Sequence, residues 1–145
     1  MSKKAKAAKV TATDADYRAL AEFRYHIRNY IDFSDKAAKA AGIEPKQHQL
    51  LLAIRGLSDN GAPPVGALAE QLRLRHHSAV ELINRAEGKQ LVERTRVGNQ
   101  VFVRLTKKGE RYLARAVEKR LRELRVAGPA LVKALQQLIK SNNLK

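Results

Sequence analysis

The chain has 145 residues, no cysteine, and 29 lysines and arginines against 14 aspartates and glutamates, which gives a formal net charge of +15. The absence of cysteine excludes disulfides, thiolate catalysis and cysteine-ligated zinc, and the longest apolar run, the five residues from Leu50 to Ile54, is too short to span a membrane. The length suits one domain. The charge favours a polyanionic partner, with nucleic acid ahead of an anionic membrane surface, and a merely solubilising surface is the alternative.

Residues 1–13 are predicted to be a flexible basic tail. Met1 to Val10 is rich in lysine and alanine, and no apolar segment of a secretory signal follows it. We therefore expect a cytoplasmic protein. A tail of this kind either stays solvated or contacts DNA phosphates.

Residues 14–44 are predicted to hold one long helix used for dimerisation. Apolar side chains recur at steps of three and four from Asp14 to Ala41, Thr13 or Asp14 can cap the start, and Gly42 and Pro45 end the pattern. Most of the aromatic residues of the chain lie here, which indicates burial on more than one side, by a partner chain or around a pocket. These aromatic residues are Tyr17, Phe23, Tyr25, Tyr30 and Phe33.

Residues 45–105 show the pattern of a winged helix-turn-helix. Helices are predicted over Pro45–Leu57, Gly66–Leu72 and His76–Glu87, and the last two are joined by only three residues. The period then changes to two, which predicts strands over 91–95 and 100–105 around a turn at Gly98-Asn99. A helix of about twelve residues fits the major groove of B-DNA, and a hairpin beside it can reach the adjacent backbone or minor groove.

Residues 106–145 are predicted to hold two C-terminal dimerisation helices. Thr106 is placed to cap the first, which would run to about Ala127, where Gly128-Pro129 breaks it, and the second would span Ala130–Ile139. The expected fold is therefore mainly α with a small β-hairpin wing, a winged helix-turn-helix between N- and C-terminal dimerisation helices. The apolar terminal helices lie outside the compact winged region and need a covering partner.

Four segments carry a family resemblance. VGALAEQLRL from Val65, the helix His76–Glu87, LVER from Leu91 and VRLTKKG ending at Gly109 resemble the MarR (multiple antibiotic resistance regulator) family over about residues 15–140. The resemblance implies a homodimer that binds a palindromic DNA operator. It also implies a transcriptional repressor that a small aromatic or anionic ligand relieves.

The chain departs from the family pattern in its wing and at two turns. Val97-Gly98-Asn99 stands where the family usually carries Asp-x-Arg, so Arg94, Arg96 and Gln100 are the nearest substitutes. Arg73 and Gln90 stand where the family often has glycine. Either the fourth helix ends early, or Gln90 takes a left-handed conformation.

The predicted DNA-binding residues lie on the outward face of the fourth helix and on the wing. Glu81 either accepts a hydrogen bond from cytosine N4 or forms an ion pair with Arg85. Val80 either contacts a thymine methyl group or is half-buried. A histidine beside a phosphate predicts that DNA binding becomes tighter as pH falls toward 6. An ordinary solvated face is the alternative. The predicted residues are His76, His77, Ser78, Val80, Glu81, Asn84, Arg85, Arg94, Arg96 and Gln100.

We expect no metal, no cofactor and no enzymatic activity. His76 and His77 point about 100° apart on a helix, which makes a poor shared metal site. The chain has no P-loop, no G-x-S-x-G and no clustered carboxylate pair. A ligand pocket, with ordinary dimer core as the alternative reading, is predicted from aromatic and cationic side chains: Tyr25, His26, Tyr30, Phe33, His48 and Arg55.

Two other functions remain open at this point. A non-specific nucleoid-type protein would use the same fold with the high positive charge and the atypical wing. A winged-helix adaptor between proteins would have lost DNA recognition. Preference for selected over random duplex DNA distinguishes the three hypotheses.

Overall fold

A computed structural model describes residues 11–141, so most of the predicted basic tail and residues 142–145 lie outside the described residues. The described chain forms five helices and one hairpin. Among these residues, no helix has both the length and the apolar composition needed to cross a bilayer. The elements in chain order are α1 (Asp14–Ala40), α2 (Pro45–Gly56), α3 (Val65–Leu72), α4 (His76–Gly88), β1 (Val92–Val97), β2 (Gln100–Leu105) and α5 (Lys107–Ser141).

The chain divides into two compact units. One, here called the arm unit, consists of the described parts of Met1–Ile31 and Glu123–Lys145. The other, here called the core unit, is Asp32–Arg122 and contains the helix-turn-helix and the hairpin.

The core unit is built around apolar side chains that recur at helical spacing. Leu50, Leu51 and Ile54 of α2 pack with residues of α3, α4 and the hairpin in one cluster. Complete burial of each leucine or isoleucine contributes about 2 kcal/mol relative to exposure. The other large members with almost no exposed surface are Leu68, Ile83, Val92 and Val103. This cluster fixes α4 and the hairpin relative to each other.

The hairpin predicted from alternation is present, and β1 begins one residue later and ends two residues later than expected. β1 and β2 pair antiparallel, with Val92 opposite Leu105 and Val97 opposite Gln100. Gly98 has φ +62°, the positive value that the first central residue of a type II′ turn requires. The amide of Val103 also donates to the carbonyl of Pro63 at 2.9 Å, so the segment before α3 is attached to β2.

The turns at Arg73 and Gln90 both use the left-handed backbone. α4 does not end early, because it reaches Gly88, and Gln90 takes φ +64° just after it. Arg73 has φ +57° after α3. Left-handed conformation costs a residue other than glycine about 1 kcal/mol, and each turn accepts this cost in order to redirect the chain sharply.

The predicted break in the C-terminal helix is wrong. α5 runs without interruption from Lys107 to Ser141, with Pro129 inside it. Proline removes one amide donor from the helix, and Gly128 before it has no side chain that would crowd the proline ring. The helical pattern on both sides then carries α5 through, so residues 107–141 form one helix where two were expected.

Both predicted N-terminal caps are confirmed. At α1, the amide of Asp16 donates to Thr13 Oγ1 at 3.2 Å, and the amide of Thr13 donates to Asp16 Oδ2 at 3.0 Å. At α5, the amide of Gly109 donates to Thr106 Oγ1 at 3.0 Å. These contacts satisfy amides that have no partner within the helix.

Candidate nucleic-acid interface

α4 exposes the face that the sequence predicts. Its inward side chains are buried, which turns the intervening positions outward. Ser78 and Val80 are half-buried at the edge of that face, and the exposed members are His76, His77, Glu81, Asn84 and Arg85. The buried residues are Ala79, Leu82, Ile83 and Ala86. The face offers hydroxyl, amide, imidazole, carboxylate and guanidinium groups, all of which can hydrogen-bond to base edges or phosphates.

The turn between α3 and α4 presents two further cations. The amide of Leu74 donates to the carbonyl of Ala69 at 2.9 Å, which folds the turn back on α3. Arg73 and Arg75 on either side are exposed. Arg75 occupies the N-cap position of α4 without a capping side-chain hydrogen bond. Positive charge therefore surrounds the start of α4, where the helix dipole is also positive.

A groove of about 440 Å³ lies between α4 and the hairpin. Half of the predicted DNA-binding residues meet in it. They are His76 and Val80 from α4 and Arg94, Arg96 and Gln100 from the hairpin. The start of α3, at Pro64, Val65 and Gly66, also lines the groove, and Asn99 lines it from the tip of the hairpin.

Ion pairs distinguish the arginines of the hairpin. Arg94 Nη2 lies 2.6 Å from Glu87 Oε1, and Arg104 Nη2 lies 3.1 Å from Glu93 Oε1. Arg96 has no ion pair among residues 11–141. The alternative pairing of Glu81 with Arg85 is likewise not formed in the described chain.

The start of α5 is attached to the turn that follows α4. Thr106 Oγ1 donates to the carbonyl of Gln90 at 2.7 Å, and the Thr106 amide donates to the carbonyl of Leu91 at 3.0 Å. Lys108 Nζ donates to the carbonyl of Lys89 at 3.0 Å, which gives this cation a structural partner at a helix end that its charge alone does not favour. Three successive carbonyls after α4 are therefore held by α5.

The sequence did not reveal the buried polar contact behind this surface. His48 Nε2 lies 2.5 Å from Arg120 Nη1, and His48 is only 1% exposed. Burial, with the Arg120 guanidinium adding to it and Asp35 opposing, lowers the pKa of His48 to about 4. The ring is therefore neutral at pH 7 and accepts a hydrogen bond from Arg120.

The residues of the predicted ligand pocket lie in both units, and the pocket stays a prediction. His48 is buried in the core unit, where its ring contacts Arg120. Phe33 and Arg55 also belong to the core unit. His26 and Tyr30 do line a cavity of about 120 Å³ in the arm unit, and the exposed Tyr25 packs its ring edge against His26 with centroids 5.5 Å apart. The remaining residues around this cavity are Asn29, Glu123, Leu124, Ala127, Gly128 and Leu131.

Metal ligands are not assembled within the part of the chain that the structure describes. No group of three or more histidines, aspartates or glutamates there is arranged to hold an ion. His76 and His77 are both exposed at the start of α4.

Comparison with known proteins gives matches among structures alone. No protein-family model and no curated protein matches the chain. AbsC, a MarR family transcriptional regulator from Streptomyces coelicolor, is 18% identical at a TM-score of 0.72, over 92% of this chain and 93% of AbsC. A MarR family protein from Bacillus stearothermophilus is 25% identical at a TM-score of 0.70, over 90% of this chain and 99% of that protein. The chain has the MarR-family fold.

A third similar structure is a nucleic-acid complex of a protein with the same fold. A mutant of MepR from Staphylococcus aureus, bound to an oligodeoxyribonucleotide, is 16% identical at a TM-score of 0.62, over 87% of this chain and 91% of that one. The predicted winged helix-turn-helix and the resemblance to MarR regulators are thereby confirmed at the level of the fold. Of these three proteins, AbsC is described as a transcriptional regulator, and none is described as an enzyme.

Proposed function

We propose that this MarR-fold protein is a dimeric, sequence-specific DNA-binding transcriptional regulator. The observation that carries the proposal is the exposed polar face of α4 beside a groove that Arg96, His76 and Gln100 line. A formal net charge of +15 supplies the long-range attraction to a polyanion. The DNA complex of a protein with the same fold supports this choice of partner.

The side chains of α4 supply the chemistry for base recognition. Asn84 suits the N6/N7 edge of adenine, Arg85 suits guanine, and Glu81 can accept from the N4 amino group of cytosine. The hydroxyl of Ser78 can hydrogen-bond to the edge of any base, and the half-buried Val80 offers an apolar contact to a thymine methyl group.

Phosphate binding falls to the residues at the edges of that face. His76 and His77 lie at the start of α4, and Gln100 and Arg96 extend from the hairpin. These groups would fix the position of α4 on the duplex without selecting a sequence. Phosphate contacts also make the affinity fall steeply with salt.

Dimerisation is proposed from the arm unit, which leaves large apolar side chains in water. Tyr17 is 66% exposed and Val126 is 80% exposed. So many exposed large apolar side chains are typical of an interface. The other large exposed apolar residues of the arm unit are Leu20, Tyr25, Ile31, Leu124, Val132, Leu135 and Ile139. A second copy that covers them would place two α4 helices in successive major grooves, about 10 bp apart.

We further propose that the protein represses transcription and that a small aromatic ligand relieves the repression. The cavity of about 120 Å³ in the arm unit offers His26, Asn29 and Tyr30 as hydrogen-bonding groups. Glu123 is the charged residue in its wall, and no lysine or arginine lines it. The lining of this cavity favours a neutral phenol-sized compound over an anion.

Selection of bound duplexes from a random pool tests the proposed function. The full chain should enrich a palindromic sequence and bind it at least about 10³-fold more tightly than shuffled DNA at physiological salt. Asn84→Ala should relax base preference at one position of each half-site, whereas Gln136→Ala in the arm unit should not change it. Binding to all duplexes with equal affinity would indicate a nucleoid-type protein. No binding even at low salt would favour an adaptor between proteins.

A further inference from the structure

Two arginines of the hairpin line the same groove but differ in their partners. Arg94 and Arg96 are two positions apart in β1 and therefore extend from the same face of the strand. Arg94 donates from Nε and Nη2 to the same Glu87 oxygen, at 3.0 and 2.6 Å. Arg96 makes no ion pair among residues 11–141.

We propose that Arg96 is the phosphate ligand of the wing and that Arg94 is a positioning residue that holds the wing against α4 through Glu87. The inference rests on the proposed function, because it assigns roles within the same DNA-binding surface. It also gives the wing a cationic contact without the arginine at the tip that family members usually carry. Of the two arginines in the groove, Arg96 then binds the phosphate and Arg94 holds the hairpin in place against α4.

The energetics of the Glu87–Arg94 pair favour this division. The two side chains are 33% and 39% exposed, so water screens them only in part. A phosphate that took Arg94 would have to replace both hydrogen bonds and would leave the Glu87 carboxylate beside the DNA backbone. Arg96 can bind a phosphate without breaking any ion pair.

The pair also joins the two elements that must move as one. Glu87 lies in the last turn of α4, and Arg94 lies near the middle of β1. Their hydrogen bonds connect residues seven positions apart across the turn at Gln90, which has a left-handed backbone. Loss of the pair would let the hairpin change its angle to α4, and the phosphate and base contacts could then no longer be made together.

The sign of one substitution separates a positioning role from a contact role. If Arg94 positions the wing, Glu87→Gln should weaken DNA binding, although it removes a negative charge. If Arg94 instead contacts phosphate, Glu87→Gln should strengthen binding, because it frees the guanidinium. Glu93→Gln is the matched control, since Glu93 is also a paired carboxylate in this region, on the other face of β1.

The experiment is a fluorescence anisotropy titration of a labelled 30-bp duplex at several salt concentrations with the full chain and its variants. Arg96→Gln should weaken binding about 10-fold and lower the salt slope by about 0.9 per bound subunit, whereas the control Arg104→Gln should do neither. Glu87→Gln and Arg94→Gln should each weaken binding about threefold relative to Glu93→Gln, with an unchanged salt slope. The double substitution Glu87→Arg with Arg94→Glu re-forms the ion pair with the charges exchanged, so it should recover most of the lost DNA affinity.

Three results would overturn the inference while leaving the proposed function in place. They are tighter binding by Glu87→Gln than by Glu93→Gln, a lower salt slope for Arg94→Gln, and an unchanged salt slope for Arg96→Gln. A wild-type chain that binds no duplex at low salt would overturn the proposed function and this inference together. Circular dichroism of each variant confirms that the helical content is unchanged.

Discussion

The two units of the molecule bury their apolar side chains in opposite ways. Most large apolar residues of the core unit pack in one cluster, where Leu50, Leu68 and Ile83 have no exposed surface, while Val97 and Leu121 are exposed. Within the arm unit, the buried apolar side chains are the small Ala19 and Ala134, while Tyr17 and Ile139 lie in water. The core unit therefore buries most of its large apolar side chains by itself, whereas the arm unit leaves most of its own exposed, as the proposed dimer would require.

This difference assigns separate tasks to the units. A cluster with close-packed side chains holds α4 and the hairpin in one geometry, which recognition of DNA requires. The arm unit has an open apolar surface, which a second copy would cover in the proposed dimer. Substitutions can therefore disrupt one unit and leave the other intact. They can also measure how much the buried groups contribute to the stability of the core unit.

The largest effect is expected at Gly109 in the core unit. A Cβ atom at this position would lie 2.1 Å from the carbonyl oxygen of Leu91, and both the helix and the turn would have to shift. Gly109→Ala should lower the free energy of unfolding by about 3 kcal/mol or more in urea denaturation followed by circular dichroism. Gly88→Ala is the control, because a Cβ atom at Gly88 would have no neighbour within 4 Å. Equal stability of the two variants would show that the α5 junction is not closely packed.

The second effect is the pH dependence contributed by His48. Its pKa is lowered from 6.5 to about 4 in the folded chain, so the unfolded chain binds more protons between these values. The free energy of unfolding should therefore fall by about 3 kcal/mol as pH decreases from 6.5 to 4, and this contribution should change no further below pH 4. The measurement compares urea denaturation of wild type and His48→Gln across this range. An identical pH dependence in both would contradict a buried neutral ring.

The third effect lies in the arm unit and concerns assembly. Val132 is exposed on α5, and an aspartate there would place a charge within the proposed dimer interface. Val132→Asp should weaken dimerisation about 100-fold in analytical ultracentrifugation. It should leave the core unit folded, as judged by NMR signals of its methyl groups. Gln137→Asp, at an exposed position on another face of the same helix, should dimerise nearly as well as wild type. A wild type that remains monomeric would refute the dimer.

The smallest effect concerns Gln47, whose side chain is fully buried in the core unit. Neither its amide nitrogen nor its carbonyl oxygen has a hydrogen-bond partner among the described residues. Gln47→Met keeps the shape of the side chain and removes the unsatisfied groups, so the free energy of unfolding should rise by about 1 kcal/mol. The exposed neighbour Gln49 serves as the control, since Gln49→Met should change stability by less than about 0.5 kcal/mol. A loss of stability in Gln47→Met would reveal a partner for this amide.

Sequence patterns predicted the parts of the fold that local chemistry determines. Apolar spacing located α4 and its buried face, and the caps at Thr13 and Thr106 followed from residue type. The break expected at Pro129 was wrong because one missing amide costs less than the periodic pattern on both sides contributes. Local rules exaggerate the effect of a single proline in a long amphipathic helix.

Contacts between distant residues could not be predicted in the same way. Arg120 is 72 positions from His48, and nothing in the sequence near either residue indicates that they meet. The Glu87–Arg94 pair depends on the angle between α4 and the hairpin, which the packed cluster sets. A carboxylate and an arginine seven residues apart across a turn are the only signal that could have suggested the pair.

Site-directed cleavage of DNA tests the central claim most directly. The chain has no cysteine, so Asn84→Cys on α4 can carry a single iron-EDTA cleavage reagent. If α4 enters the major groove in each half-site, the Asn84→Cys conjugate should cleave the selected duplex at two major-groove positions about 10 bp apart. The same reagent on Glu118→Cys, an exposed position of α5, should give a different or weaker pattern. Cleavage absent from the Asn84→Cys conjugate while it still binds the duplex would show that α4 does not enter the groove.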